Sequence, residues 1–293
     1  MHFKKYSSKK FGRFIAMTFS IVGYCPIEKE WGIAVQSKFL AVGAVVPFAR
    51  AGVGAVATQS YANTTYGPRA LELFAEGKTA EEALQIITGD DEDHHLRQVG
   101  LIDAHGNAAT YTGEGCYHWA GGVIGSHFAA QGNILVDEKT VEAMADIFTN
   151  KEGSLAERLL AALEAGQEAG GDSRGQQSAS LLVVKEKGGY AGFNDRYIDL
   201  RVDDHPEPIK ELIRIYHLQQ LYFAPTKPDY IVSIEGQVKE DLSLNLDRLG
   251  YLSKEPDLLQ ALKTYIHTEN FENREQAEGF IDLDILEYMK KQG

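Results

Sequence analysis

Up to Val202 the hydrophobic positions fall mostly in short runs broken by glycine and polar turns, a strand-like pattern. Residues 19–24 and 31–37 read as a hairpin around the turn at 26–30. Further strand-like runs occupy 39–46 and 53–60. A helix is predicted over 68–76, with Pro68 near its first turn and Gly77 past its end. Thr79 and Glu82 form a capping box ahead of Ala83, Leu84, Ile86 and Ile87, which predicts a second helix. Strands follow at 96–103 and 108–112, around a turn at 104–107. Beyond a glycine-rich stretch come a strand at 128–135 and a helix at 137–149. Ser154 and Glu157 make another capping box, whose helix Gly166 is expected to end. Residues 178–185 and 190–202 form the last predicted hairpin, around Lys187-Gly188-Gly189.

Strands, two helices, strands, two helices, strands: this order predicts an α+β fold, a four-layer αββα sandwich of antiparallel sheets. A doubly wound parallel sheet is excluded, because regular strand–helix alternation is missing. From Asp203-Asp204-His205-Pro206 onward the strand signals cease. Residues 209–223 form an amphipathic helix with Leu212, Ile213, Tyr216 and Leu221 on one side. A linker at 224–230 carries Pro225 and Pro228, and helical patterns follow at about 237–249, 257–269 and 283–291. The expected division is a basic extension at 1–16, a main domain at 17–204 and a small all-α module at 205–293.

Composition narrows the partners. A net charge of −13 argues against nucleic acid and against anionic membrane surfaces, which need a basic face. No apolar run approaches the length of a membrane span. Cys25 and Cys116 make no disulfide framework and read as reduced thiols, so a cytoplasmic location is expected. Lys4, Lys5, Lys9, Lys10 and Arg13 resemble the start of an export signal, but residues 14–17 lead straight into polar positions. The first sixteen residues are therefore read as an addition to the fold.

Several motifs fail their context. The glycines at 52 and 54 lie inside a strand-like run with no helix opening behind them, so they do not bind a dinucleotide. Glu76-Gly77-Lys78-Thr79 ends like a phosphate-binding loop but joins two helices. Gly171-Asp172-Ser173-Arg174-Gly175 fits a nucleophile elbow only in letters, because a helix precedes it and a strand follows. His94, His95, His118 and His127 lack metal-ligand spacing. No cofactor and no metal are expected.

What survives is the segment 18–38, a hairpin whose first residue is Thr18, directly after Met17. N-terminal-nucleophile (Ntn) hydrolases use the side chain of the first residue as nucleophile and its own α-amine as base. Such chemistry needs no histidine, but it requires a free amine at Thr18. On the hairpin alone, a threonine that merely opens a strand is the better reading. A resemblance shifts the balance. Residues 17–202 resemble the Ntn-superfamily family known as domain of unknown function 1028. The resemblance rests on MTFSIV from Met17, the run from Gly32 to Gln59, Ala62-Asn63 with Tyr66-Gly67-Pro68-Arg69, and AQGN ending at Asn133. It continues through GGDSRGQQSA from Gly170 and NDRYIDLRVDDH from Asn194. Residues 205–293 resemble a small helical module labelled as peptidoglycan-binding, through LDRLGY from Leu246, ALKTYIHTENFENR from Ala261 and GFIDLDILEYM from Gly279.

The resemblance implies Thr18 as nucleophile, Lys38 or Arg50 as the cation that tunes its amine, and Asn63 and Asn133 as oxyanion donors. Gln36 stands where proteasome-like enzymes carry an aspartate. Gln36, Arg69, Asp172 and Arg174 are assigned to substrate binding, with mutual pairing of Asp172 and Arg174 as the even alternative. Family proteins begin near Met17, so the upstream residues are a miscalled start, a propeptide or a true extension, the first being preferred. The expected function is hydrolysis of a C–N bond in a small amide, lactam or peptide-like substrate, in a homodimer. The alternatives are a non-catalytic protein that binds peptidoglycan fragments, and a structural dimer.

Overall fold

The computed structural model describes residues 18–292; the basic extension expected at 1–16 lies outside them. The chain divides into two compact units that meet between Ile213 and Arg214. That division falls later than the expected boundary and lies inside a helix.

In the first unit, β1 (Thr18–Cys25), β2 (Glu30–Ser37), β7 (Gly121–Gly125), β8 (Phe128–Asn133), β9 (Ser178–Val184) and β10 (Arg196–Val202) form one sheet. Its order is β10-β9-β2-β1-β8-β7. A second sheet, ordered β3-β4-β5-β6, contains β3 (Pro47–Arg50), β4 (Gly54–Ser60), β5 (Arg97–Asp103) and β6 (Ala108–Thr112). Every pairing within these sheets is antiparallel.

Strand alternation sorts the side chains. Val22, Tyr24, Ile33 and Val35 of the large sheet meet Ala55, Ala57 and Ile102 of the small one in a shared apolar cluster. The opposite face of the large sheet carries α3 (Lys139–Asn150) and α4 (Leu155–Glu168). Glycine permits the close approach there. A Cβ on Gly23 would stand 2.8 Å from the Phe148 ring, and one on Gly32 would stand 2.6 Å from Leu159. The small sheet carries α1 (Tyr66–Ala75) and α2 (Ala80–Gly89) over a second cluster that includes Val56, Leu73, Phe74 and Leu101. Both expected capping boxes are present, at Thr79/Glu82 and Ser154/Glu157.

Some elements depart from the sequence pattern. Residues 39–46 are not a strand. Ala41 adopts a left-handed conformation, and a short 3-10 turn at Val42–Ala44 follows. The Ser178 hydroxyl accepts from the Val42 N–H and donates to the Phe39 carbonyl, so a side chain replaces ladder bonds there. β7 escapes the pattern because three of its five residues are glycine. The last hairpin pairs only from Arg196, since Tyr190–Gly192 forms another 3-10 turn.

α5 (Pro208–Phe223) contains the division between the units. The second unit holds α6 (Gly236–Arg248), α7 (Leu258–Thr268) and α8 (Leu283–Lys291) around Leu242, Leu246, Tyr265, Phe271, Ile285 and Met289. It also contains a two-stranded sheet that the pattern missed, β11 (Ile231–Ser233) with β12 (Phe280–Asp282). Three residues per strand are too few to establish a period.

Arg274 ties this unit together. Its side chain is 3% exposed. It donates to the carbonyls of Gln220 and Leu221 and to Asp282, whose other oxygen caps α8. Removing the guanidinium leaves the buried Asp282 carboxylate without its cation and takes a hydrogen bond from each of the two carbonyls. Arg274→Ala is expected to destabilise the second unit by about 3–5 kcal/mol. Hydrogen exchange of the 214–292 amides in the full chain checks this: protection should fall there while the sheets of the first unit keep theirs.

Candidate functional site

Thr18 opens β1, and β1 lies between β2 and β8. Its direct cross-strand neighbours are Ser37 and Asn133. Alternation places Thr18 and Ser20 on the same face as Val22 and Tyr24, toward the small sheet. The apolar cluster gives out at this end, and hydroxyl and amide groups line the space instead. Thr18, Ser20, Ser37, Gln59, Gln98, Gln131, Asn133, Ser178 and Ser180 are all buried. The Thr18 hydroxyl lies 3.1 Å from that of Ser37, and Thr18 is fully buried.

Gln98 organises this layer. Its amide nitrogen donates to the Gly121 and Gly132 carbonyls and to the Thr112 hydroxyl. Its oxygen must then face the other way, where it accepts from Gln59 at 2.8 Å and Asn133 at 2.9 Å. Gln59 and Asn133 pass the order on, each donating to the Thr18 carbonyl as well. Ser20 donates to Gln59 and receives the amide of Gln131. In a water-free interior such a chain is stable only when nearly every member is paired.

Beyond Thr18 the turn at 171–175 takes over the line of β1. The positions following Ser37 and Asn133 are Lys38 and Ile134. Asp172 accepts from the Lys38 N–H at 3.1 Å, forms a β-bridge with Leu135, and is followed by Ser173, whose N–H reaches the Ile134 carbonyl. Asp172 is buried, and burial pushes its carboxyl pKa up against the hydrogen bonds from Arg174 and Lys38 that oppose the rise. Gly171 and Gly175 take positive φ, which lets so short a turn reach both flanking strands.

The structure gathers Thr18, Asn133, Asp172 and Arg174 at this end and disperses the other nominated residues. The Lys38 ammonium turns to the Gln176 carbonyl and is exposed, so only its backbone joins the group. Arg50 pairs with Gly54 at the far end of the small sheet and donates to the Leu71 carbonyl. Five strand residues, about 17 Å, separate Gly54 from Gln59, so Arg50 cannot tune the Thr18 amine. Arg69 is exposed on α1, beside Glu72.

The Asn63 carbonyl accepts from the hydroxyl of Thr58, which alternates with Gln59 and therefore faces the helix side of the small sheet. Asn63 donates to Asp91. Burial would raise the Asp91 pKa, but hydrogen bonds from Arg97 and Asn63 hold it well below the carboxylate range. Asn63 thus fastens a loop and is not turned toward Thr18. Gln36 alternates with Val35 and faces α4, on the opposite side of the sheet from the Thr18 hydroxyl; its amide has no hydrogen-bond partner among the described residues. Asn133 is at the site, but it donates both amide hydrogens, to the Thr18 carbonyl and to Gln98, and so has none left for the expected role of oxyanion donor.

Sequence reading missed Ser20, Ser37, Gln59, Gln98 and Gln131. A signal existed: these polar side chains recur in otherwise apolar strands, and Ser20, Gln131 and Asn133 fall at alternate positions with Thr18 or with each other. No cluster of three or more metal-ligating side chains occurs among the described residues. Nor is any described helix long and apolar enough to cross a membrane.

Antiparallel sheets with helices, a closed polar layer between them and a helical C-terminal region define a mixed α/β protein of two units. Residues 18–212 match the model of a family described as "Family of unknown function (DUF1028)", and the chain belongs to that family. Residues 222–289 match the model described as "Putative peptidoglycan binding domain". The chain is similar to the crystal structure of protein SPO2555 from Silicibacter pomeroyi, assigned to the same DUF1028 family. The two are 29% identical with a TM-score of 0.64, over 76% of this chain and 89% of that one. No curated protein matches.

Replacing Gln98 by leucine tests the layer. It removes a buried hydrogen bond from each of the Gly121 and Gly132 carbonyls and the Gln59 and Asn133 amides. A loss of at least about 2–3 kcal/mol is expected in denaturant unfolding of the first unit, with the midpoint lowered and the slope unchanged.

Proposed function

We propose that this protein is an Ntn amidohydrolase that cleaves a C–N bond of a small amide, lactam or peptide-like substrate, with Thr18 as nucleophile. The layering supports the reading: helices α3 and α4, the large sheet, the small sheet, helices α1 and α2, the αββα order of that superfamily. The observation that carries it is the setting of Thr18. It is the first residue of an inner strand, with its hydroxyl in the polar end of the inter-sheet space.

The chemistry follows from the protonation states. A threonine hydroxyl is a weak nucleophile and needs a base within hydrogen-bond reach. The free α-amine of Thr18 supplies one, whereas the peptide nitrogen of an uncut chain has no basic lone pair. The Thr18 oxygen bonds to the substrate carbonyl carbon while its proton passes to the amine. As the C–N bond breaks, the amine returns that proton to the departing nitrogen. Water then hydrolyses the ester and restores the hydroxyl. The Ser37 hydroxyl, 3.1 Å away, orients the nucleophile. No metal or cofactor enters this scheme, and the substrate is a small molecule, not nucleic acid or membrane.

Two observations favour a second reading, a non-catalytic peptidoglycan-binding protein. Thr18 is fully buried, and residues 222–289 match a peptidoglycan-binding model.

Intact mass and turnover separate the two. A chain starting at Met17 should lose that residue, begin at Thr18 and hydrolyse members of an amide and cyclic-amide panel. Thr18→Ala should lower turnover on the order of a thousandfold or more with little change in stability, and Thr18→Ser should keep a part. Full activity in a chain proven uncut, or in Thr18→Ala, would falsify the proposal. Retention on purified peptidoglycan without turnover would favour the binding protein.

A further inference from the structure

Two buried acceptors near Thr18 have capacity to spare. Asn133 stands directly across from it, and the Asn133 amide nitrogen reaches the Thr18 carbonyl. The orientation of that amide follows from Gln98: the Gln98 nitrogen faces two carbonyls, so its oxygen faces Asn133 and takes the Asn133 nitrogen. The Asn133 oxygen, on the residue paired directly with Thr18 across the strands, is buried and has no hydrogen-bond partner among the described residues. Asp172 adds a second acceptor. It lies in the line of β1 just past Thr18, between Lys38 on one side and Ile134 and Leu135 on the other. Its carboxylate side chain is closed to solvent and accepts from two backbone N–H groups and, at 3.4 Å, from Arg174. A carboxylate has about four acceptor sites, so it retains capacity for a further donor.

What would satisfy both acceptors is a compact group carrying several N–H bonds and a positive charge. The peptide nitrogen of an uncut chain offers one hydrogen. A primary ammonium offers three.

We infer that the Asn133 oxygen and the Asp172 carboxylate form a cradle for the α-ammonium of Thr18, so that the ligand of this site is the amino terminus of the chain itself. The inference rests on the proposal that Thr18 becomes the first residue. Asn133 and Asp172 are then positioning residues: they aim the amine at the Thr18 hydroxyl and set its proton affinity. The Asp172 carboxylate stabilises the ammonium and raises the amine pKa. Arg174 and the more distant Lys38 ammonium oppose this. The small sheet contributes only neutral groups next to Thr18, namely Gln59 and Gln98, with the Asp91–Arg97 pair farther along the rim. The 116–118 segment contributes Cys116 and His118, its Tyr117 carbonyl accepting from the Ile134 N–H.

The test is a titration of the amine that needs no substrate. A fusion whose protease leaves Thr18 first yields the freed chain, verified by intact mass and labelled with nitrogen-15 at threonine. The α-amine pKa is then followed by NMR. Asp172→Asn should lower it by about one unit, since an opposite charge at contact distance shifts a pKa by roughly 1–3 units. Asp172→Ser should act alike, and its hydroxyl can keep the turn bond to the Arg174 N–H if the asparagine variant fails to fold. Where activity is measurable, its acid limb should move to lower pH by the same amount, because the base is the neutral amine. A purely structural Asp172 would lower turnover and leave the limb in place. An amine pKa unchanged in a folded Asp172 variant overturns the cradle. A shifted pKa in a protein without turnover supports the cradle and counts against the hydrolase reading alone.

Discussion

The amide of Gln98 holds the two sheets in register at the end where Thr18 begins. Its nitrogen must satisfy carbonyls of β8 and of the residue opening β7, so its oxygen has one direction left, and that choice orients Gln59 and Asn133 in turn. A hydrophobic contact would hold the sheets together equally well, but it has no direction. The polar layer has one. It dictates which atom of each amide faces Thr18, and therefore whether the surroundings of that residue donate or accept. The cost is that buried amides are stable only while paired, so the layer is packed into the interior next to the apolar cluster of Val22, Ile33 and Ala57.

The turn at 171–175 complements this arrangement from outside the sheet. β1 starts at Thr18 opposite the last residues of β2 and β8, and the residues that follow those two strands bond to Asp172. The main chain thus arrives at the polar layer at a defined residue. In the proposed mechanism that residue is both nucleophile and base, so its placement matters more than that of any neighbouring cation. Lys38 and Arg50, the cations nominated for tuning the amine, are turned outward or lie at the other end of the small sheet. Charge near Thr18 comes from Asp172 and Arg174.

The second unit has a different kind of organisation. An arginine that is nearly closed to solvent gathers the end of α5, β12 and the start of α8. Its apolar cluster includes an aromatic group, with Tyr222, Tyr265 and Tyr288 around Phe271. Such a unit has its own core and its own polar pin, in keeping with a separate family model over residues 222–289.

Much of the architecture is legible in the residues alone. Short apolar runs with turn chemistry locate β1, β2, β4 and β9, and the capping boxes locate the starts of α2 and α4, although α4 runs through Gly166, expected to end it, as far as Glu168. These are local effects, decided by neighbours within a few positions along the chain. Thr18 is placed at the head of a hairpin by the same means, but its nomination as nucleophile comes from the family resemblance. The pattern fails where distant atoms intervene: at 39–46, where the Ser178 hydroxyl takes the place of a partner strand, and at β7, whose glycines carry no hydrophobic signal until β8 pairs with them. The environment of Thr18 belongs to this second kind. Whether Gln36 or Ser37 faces it depends on register, because one step along a strand reverses the side. Whether Asn133 offers hydrogen or oxygen depends on Gln98, 35 positions away in the chain. Strand order and hydrogen-bond direction are properties of the assembled sheets, and only the tertiary structure decides them.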